Sequence, residues 1–400
     1  MQTIPDGSIL SPAGYRAGHA HCGIKSAEGA PDVALLVSDT PAAAAGVFTT
    51  NRFAAAPVGW CRCILPTDGL RAIAVNAGNA NACTGEQGER DARRTAELAA
   101  ELIGCDPAQV AIASTGIIGH VLPMDKLGRG VRSAHESLSG RPEAARGAER
   151  AIMTTDTHPK ACAVELSVGG ATCRIGGMAK GAGMIHPHMA TMLGFITTDA
   201  ALPPDLLQQA LRRAVKVTFN RITVDGDTST NDTVLLLANG RSGTKVEPGS
   251  TALEDLEEGL CRVMGELARS IARDGEGATK LIEITVEGAK SEEDGDRAAR
   301  AIANSPLVKC AMHGGDPNWG RIVCAAGYSG AEFEPENVAL RLGTITVFEG
   351  GLPTGEDAAH QLEGDQIRIH LDLGAGSAGA TVWTCDLSKA YVEINAEYHT

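Results

Sequence analysis

Four glycines fall within the eight residues from Gly176 to Gly183, and the tract continues Met184-Ile185-His186-Pro187-His188-Met189-Ala190-Thr191 into the apolar run Met192–Thr197. Glycine loses the most backbone entropy in a regular element and tolerates left-handed angles, so this density predicts a sharply bent backbone with exposed amides instead of a helix or strand. A GxxxxGK[ST] phosphate loop is excluded, because Lys180 is followed by Gly181 and Ala182. A small residue, a threonine and then a strand is an order that suits an N-terminal nucleophile. Little bulk precedes the hydroxyl, a strained turn promotes an N→O acyl shift, and the strand holds the new terminus. A freed threonine amine titrates at about 7.7, so it can act as base for its own hydroxyl. A structural glycine-rich turn is the simpler account on spacing alone.

The surrounding composition narrows the setting. Aromatic residues are 3% of the chain while glycines number 48, so the core must lean on Ala, Val, Ile and Leu with close backbone approaches. At 400 residues the chain exceeds one typical core and suggests two or three domains. Residues before Thr191 carry 17 basic and 17 acidic side chains; the remainder carries 18 and 32, which accounts for the formal net charge of −14. That balance gives no footprint for nucleic acid or an anionic membrane surface. The eleven cysteines include no CxxC, and several sit in apolar surroundings, which fits free buried thiols in a reducing cytoplasm. The first residues lack signal-peptide character, and no apolar run reaches the roughly 20 residues of a membrane span.

Periodicity predicts strands at Val33–Ser38, Ala72–Asn76, Val110–Ser114, Ala163–Val168, Val234–Ala238, Leu281–Val286, Val338–Leu342 and Ile367–Leu373. Helices are expected at Gly88–Ile103, Pro204–Val217, Leu253–Arg273 and Glu293–Asn304, and Asp316-Pro317 reads as a further helix start. The charged stretch Glu287–Asp296 reads as a domain boundary. The elements interleave irregularly, so the class is mixed α/β and not a barrel.

Several long strings narrow this further. They are Ala45-Gly46-Val47-Phe48-Thr49-Thr50-Asn51-Arg52, Asn76-Ala77-Gly78-Asn79-Ala80-Asn81-Ala82-Cys83-Thr84-Gly85, Ala113-Ser114-Thr115-Gly116-Ile117-Ile118-Gly119, Lys180–Ala200, Asp225-Gly226-Asp227-Thr228-Ser229-Thr230-Asn231-Asp232 and Asp316–Arg321. In content and order the sequence resembles the ornithine acetyltransferase (glutamate N-acetyltransferase) family of arginine biosynthesis over essentially its whole length. The resemblance implies a layered αββα-like sandwich of the self-processing aminopeptidase and ornithine acetyltransferase type. It would comprise a main catalytic domain over residues 1–280 and a smaller C-terminal α/β domain over 281–400. It also implies cleavage at Ala190–Thr191, after which Thr191 takes acetyl from N-acetylornithine and passes it to glutamate by a ping-pong route. Some members of that family also use acetyl-CoA.

By the same resemblance the oxyanion hole falls on Thr115 and Gly116, and substrate-binding positions fall on Thr154, Lys180, Thr191, Glu276, Asn395 and Thr400. Lys180 and Glu276 supply opposite charges suited to the carboxylate and amine of an amino acid. The implied assembly is an α2β2 heterotetramer without a cofactor, metal, nucleic-acid or membrane partner. One departure is visible, since His186-Pro187-His188 stands where the family often has Asn after the proline. His186 with His188, and His19 with His21, invite a metal reading but lack a third ligand at suitable spacing, and His188 is also a candidate base. Two rival readings stand beside the transferase. One is an amidohydrolase or aminopeptidase with the same nucleophile; the other is a binding protein that no longer processes itself.

Overall fold

The computed structural model describes residues 1–168, 170–186 and 192–397. Nine strands among them form one sheet: β1 (Gln2–Thr3), β2 (Tyr15–Ala20), β3 (Val33–Phe48), β4 (Thr67–Asn79), β5 (Val110–Ile117), β6 (Lys160–Val168), β7 (Ala171–Lys180), β8 (Leu193–Thr198) and β9 (Thr233–Ala238). The order is β1-β6-β7-β8-β9-β3-β4-β5, with β2 on the free side of β3. The 16-residue β3 is the joint. Its first half pairs with β2 and β4, its second half pairs with β9, and the register shifts between Val37 and Ala44. A strand that changes sheets at such an irregularity turns one ribbon into two packed layers.

Side-chain alternation shows what each layer faces. Phe195 of β8 and Leu235 and Leu237 of β9 join a core with Leu35, Val37, Ile73 and Val75. Ile196, Val234 and Leu236, one residue out of phase, join a second core. Helices close both outer faces. Helix α1 (Ala56–Ile64) lies against β5, and α2 (Gly85–Ile103), α3 (Met124–Glu136) and α4 (Pro142–Ile152) cover the first core. Helices α5 (Pro204–Val217) and α6 (Thr251–Arg273) cover the second. Leu253, Leu256, Leu260, Val263, Met264, Leu267 and Ile271 run down one face of α6 at helical spacing, and the Ser250 hydroxyl caps its start by accepting from Leu253 N at 3.3 Å. The result is the αββα sandwich.

A six-stranded sheet follows, ordered β13 (Leu352–Pro353), β12 (Ile345–Glu349), β11 (Ala339–Leu342), β14 (Gln366–Asp372), β10 (Leu281–Ala289) and β15 (Ala378–Cys385). Helices α7 (Glu292–Ala303), α8 (Pro306–Gly314) and α9 (Trp319–Gly327) bury Ala298, Ile302, Met312 and Ile322 against its Ile282, Ile284, Leu340 and Ile369. Helix α10 (Lys389–Glu397) follows β15. The stretch 287–296 is not a boundary, because β10 runs to Ala289 and α7 begins at Glu292 within this sheet-and-helix unit. Nor does Asp316 cap α9. The Asn318 side chain does, accepting from Arg321 N at 3.3 Å, so the helix starts two residues after Pro317. No described helix is long and apolar enough to cross a membrane.

The glycine tract requires a further correction. Gly176 and Gly177 lie in regular strand, midway along β7, and not in a bend. Close approach explains them. A Cβ on Gly176 would meet the Ser8 backbone oxygen at 2.2 Å, and one on Gly177 would meet Ile196 Cδ1 at 2.8 Å and Leu267 Cδ1 at 2.9 Å. Gly176→Ala should therefore destabilise the protein by about 1–3 kcal/mol, the usual range for overpacking, as read from urea denaturation. Unchanged or increased stability, the normal effect of Ala in a strand, would remove the contact argument.

Candidate active site

Strands β7 and β8 are antiparallel neighbours in which Lys180 pairs with Leu193, so the connection 181–192 leaves and re-enters the sheet at one place. Beside that place, Thr115 and Gly116 lie near the C-terminal end of β5. The strand continues through them to Ile117 instead of stopping at Ser114. Gly116 has φ 128°, and a Cβ there would stand 2.4 Å from the Gly78 carbonyl carbon, so only glycine fits. The register of β4 against β5 slips at Gly78 and Asn79. A polar ladder absorbs that distortion. Ser114 Oγ donates to Asn76 Oδ1 at 2.6 Å, Asn76 Nδ2 donates to the Asn79 carbonyl at 2.8 Å, and Asn231 Nδ2 donates to the Ala80 and Ser114 carbonyls at 2.6 and 2.8 Å.

Lys180 is buried at the end of β7. Its Nζ reaches Thr115 Oγ1 at 3.4 Å and Asp156 Oδ2 at 3.9 Å. Burial pulls the ammonium below its ordinary value and Lys160 adds to that, while Asp156 works the other way. Asp156 accepts from Lys160 Nζ at 2.7 Å, from Gly181 N at 2.6 Å and from Thr154 N at 3.1 Å. Burial pushes its carboxyl up, yet Lys180 and Lys160 outweigh burial and hold it well below the usual carboxylate range. Lys160 also donates to Asp274 Oδ2 at 2.5 Å, at the C-terminal end of α6. Glu276 follows two residues later, with its N–H on the Ala182 carbonyl at 2.9 Å. Its carboxylate lies where a Cβ on Gly183 would come within 2.3 Å, and it accepts from Asn395 Nδ2 of α10 at 2.8 Å.

These side chains bound one cavity of about 270 Å³, lined by Thr115, Gly116, Thr154, Lys180, Glu276 and Asn395. That volume suits a small polar ligand of amino-acid size better than a drug-sized apolar one. Six positions expected from the sequence thus meet, although they come from five separate parts of the chain. Ala190, Thr191 and Thr400 lie outside the described residues, as does His188. The cavity also contains Ile118, Thr155, Gly183, Met184, Ser229, Thr230 and Asn231, which had no assigned role. Ser229, Thr230 and Asn231 sit in the Asp225–Asp232 string, so that motif was the available signal. Asp156, Lys160 and Asp274 carried no sequence signal of burial.

Both histidine pairs have other surroundings. His19 Nδ1 is buried against Gly147, His21 Nδ1 is 2.7 Å from the Ala30 carbonyl, and His186 Nδ1 is 3.3 Å from Thr223 Oγ1. Among the described residues no group of three or more His, Cys, Asp or Glu is placed to hold a metal. All eleven cysteines are free, but only Cys61, Cys173 and Cys385 are buried, while Cys63, Cys83, Cys310 and Cys324 are exposed. Burial pushes the Cys61 thiol up to about 12.

The model of the ArgJ family matches residues 16–400. The chain belongs to the ArgJ family. It is 52% identical over 399 residues to the arginine biosynthesis bifunctional protein ArgJ of Symbiobacterium thermophilum, covering 98% of this chain and 99% of that one. It is 50% identical over 405 residues to the protein of the same name from Dehalococcoides mccartyi, covering 100% and 99%. Among solved structures, that of arginine biosynthesis bifunctional protein ArgJ from Bacillus halodurans matches at 43% identity and a TM-score of 0.51. It covers 52% of this chain and 100% of that one.

Within this ArgJ-family chain the Asp156 centre makes a stability prediction. A carboxylate held below its unfolded value contributes stability above about pH 4 and loses it as the pH falls. Asp156→Asn should cost about 3 kcal/mol or more near neutrality, since it leaves Lys160 and Lys180 undercompensated. It should also flatten the acid limb of a plot of urea midpoint against pH. An unchanged acid limb would show that Asp156 does not carry that charge.

Proposed function

We propose that this chain is an acetyltransferase of arginine biosynthesis that cleaves itself at Ala190–Thr191 and then moves acetyl from N-acetylornithine to glutamate through Thr191. The supporting observation is the convergence of Thr115, Gly116, Thr154, Lys180, Glu276 and Asn395 on one cavity beside the 181–192 connection. In self-cleavage the Thr191 hydroxyl attacks the Ala190 carbonyl carbon. The acyl group passes from nitrogen to oxygen, and water hydrolyses the ester to leave a carboxylate on Ala190 and an amine on Thr191. In the transfer, Thr191 Oγ attacks the acetyl carbonyl of the donor. Its proton passes by way of the amine to the leaving nitrogen, ornithine departs, and the glutamate amine then takes the acetyl group.

The Thr115 hydroxyl and Gly116 amide are assigned to the oxyanion that forms in each half. Lys180 is assigned to a substrate carboxylate, and Glu276 with Asn395 to an amine. The Bacillus halodurans chain, fully matched by about half of this one, has the length expected for the portion that follows Ala190. By family resemblance the two pieces form an α2β2 heterotetramer in the cytoplasm.

Intact mass spectrometry should find residues 1–190 and 191–400 as separate chains in purified protein, and Thr191→Ala should remain whole. An uncut wild type with full acetyl transfer would refute self-cleavage. N-acetylornithine should serve as acetyl donor, and a parallel assay with acetyl-CoA determines whether a second donor is accepted. Release of free acetate with no acetylglutamate would favour the hydrolase reading.

Thr115→Ala, tested on processed material, should lower kcat about 10²–10³-fold with a much smaller change in KM, because the lost contact belongs to the transition state. Wild-type kcat in that variant would leave the hole to backbone amides.

A further inference from the structure

The string Asp225–Asp232 does more than line the cavity with its middle residues. Its two ends grip the two flanks of the 187–191 stretch. On the near side, Asp225 Oδ2 accepts from Met184 N at 2.6 Å, its Oδ1 accepts from Ile185 N at 2.9 Å, and Val224 N donates to the Ile185 carbonyl at 2.8 Å. Met184 itself sits at φ 56°, a left-handed conformation that costs free energy for a residue with a side chain. On the far side, Asp232 Oδ1 accepts from Met192 N at 3.1 Å and Thr233 N donates to the Met192 carbonyl at 3.2 Å. Asp232 is fully buried, and its Oδ2 has no hydrogen-bond partner among the described residues. A buried carboxyl oxygen without a partner is costly and needs a reason.

We propose that Asp225 and Asp232 are positioning residues for self-cleavage, anchoring Met184–Ile185 and Met192, which flank the 187–191 stretch that contains Ala190–Thr191. This rests on the self-processing reading above. An intramolecular acyl shift is fast only if the reacting atoms are held about 3–3.5 Å apart in the right direction, and a misplacement of about 1 Å can cost 10²-fold. Two carboxylates on one short segment supply that restraint to both flanks at once. The burial that forces Asp232 toward its neutral form strengthens the case. In that form the carboxyl would keep an acceptor for Met192 N–H and gain a donor.

The test follows cleavage over time in freshly synthesised full-length chain by gel and intact mass, with circular dichroism and melting to verify folding. Asp232→Ala should cut about 10²-fold more slowly than wild type, and Asp225→Ala at least tenfold more slowly. Asp232→Asn, which presents the same acceptor and a donor, should recover cleavage to within several-fold of wild type. Asp227→Ala, an exposed carboxylate of the same loop, should cut at the wild-type rate. If Asp232→Ala does not fold, Asp225→Ala decides. Wild-type cleavage rates in folded Asp225→Ala and Asp232→Ala would overturn the clamp alone. A wild type that never cuts would overturn the self-processing reading and the clamp with it.

Discussion

Four charged side chains hold the site together from beneath. Asp156 lies in the loop after α4, Lys160 opens β6, Asp274 ends α6 and Lys180 ends β7, and all four are buried. Lys160 stands 2.7 Å from Asp156 and 2.5 Å from Asp274, with Lys180 at 3.9 Å from Asp156. An unpaired charge at such depth would cost several kcal/mol, so each element must present its charge to the others or the fold loses more than the pairing returns. Asp274 makes the point most clearly. An acid at a helix C-terminus opposes the helix dipole, and this one is retained where it accepts from Lys160, from Thr157 N at 3.0 Å and from the Thr157 hydroxyl. What the network fixes is position: Asp156 bonds Thr154 N and Gly181 N, and Glu276 is two residues beyond Asp274.

Above that network, glycine sets how closely the walls approach. Gly116 presses on the backbone of Gly78, Gly183 makes room for the Glu276 carboxylate, and Gly277, at φ 71°, lies where a Cβ would strike Tyr391 N at 2.5 Å. The last contact brings α10 down on the loop after α6 and so delivers Asn395 to Glu276. A core poor in aromatic residues and rich in alanine permits this. Small side chains allow short distances between layers, and short distances let backbone and side-chain polar groups from remote segments share a small cavity.

The sequence made the long apolar elements legible because their periodicity reflects burial directly. All eight expected strands and the four expected helices exist, with ends displaced by a few residues except in β3, which runs ten residues past the expected end at Ser38. Strand β2 escaped because Tyr15–Ala20 carries Gly18 and His19, neither of which marks a strand. Helix α4 buries mainly alanines and Gly147, a stripe too weakly apolar to stand out. The glycine tract misled for a physical reason. Glycine serves bends and close approaches alike, and only the neighbours of Gly176 and Gly177 tell which applies. At the site, six of the thirteen residues lining the cavity were named by resemblance, whereas Asp156, Lys160 and Asp274 look like surface charges until the fold buries them.

The order of strands bears on what a cut between Ala190 and Thr191 would leave. Strands β8 and β9 come after that bond, yet they lie between β7 and β3, which come before it. Leu193 to Thr198 pairs with Lys180 to Ile175 on one side, and Thr233 to Ala238 pairs with Phe48 to Ala43 on the other. Separating the pieces would break both ladders at once, open a buried apolar face of each and expose two strand edges on each. The cavity divides in the same way, with Thr115, Gly116, Thr154 and Lys180 before the bond and Ser229, Thr230, Asn231, Glu276 and Asn395 after it. Neither portion contains the whole nine-stranded sheet or a complete site. A backbone break at that point would therefore change the chemistry of one threonine while the interleaved strands kept every other wall of the cavity in place.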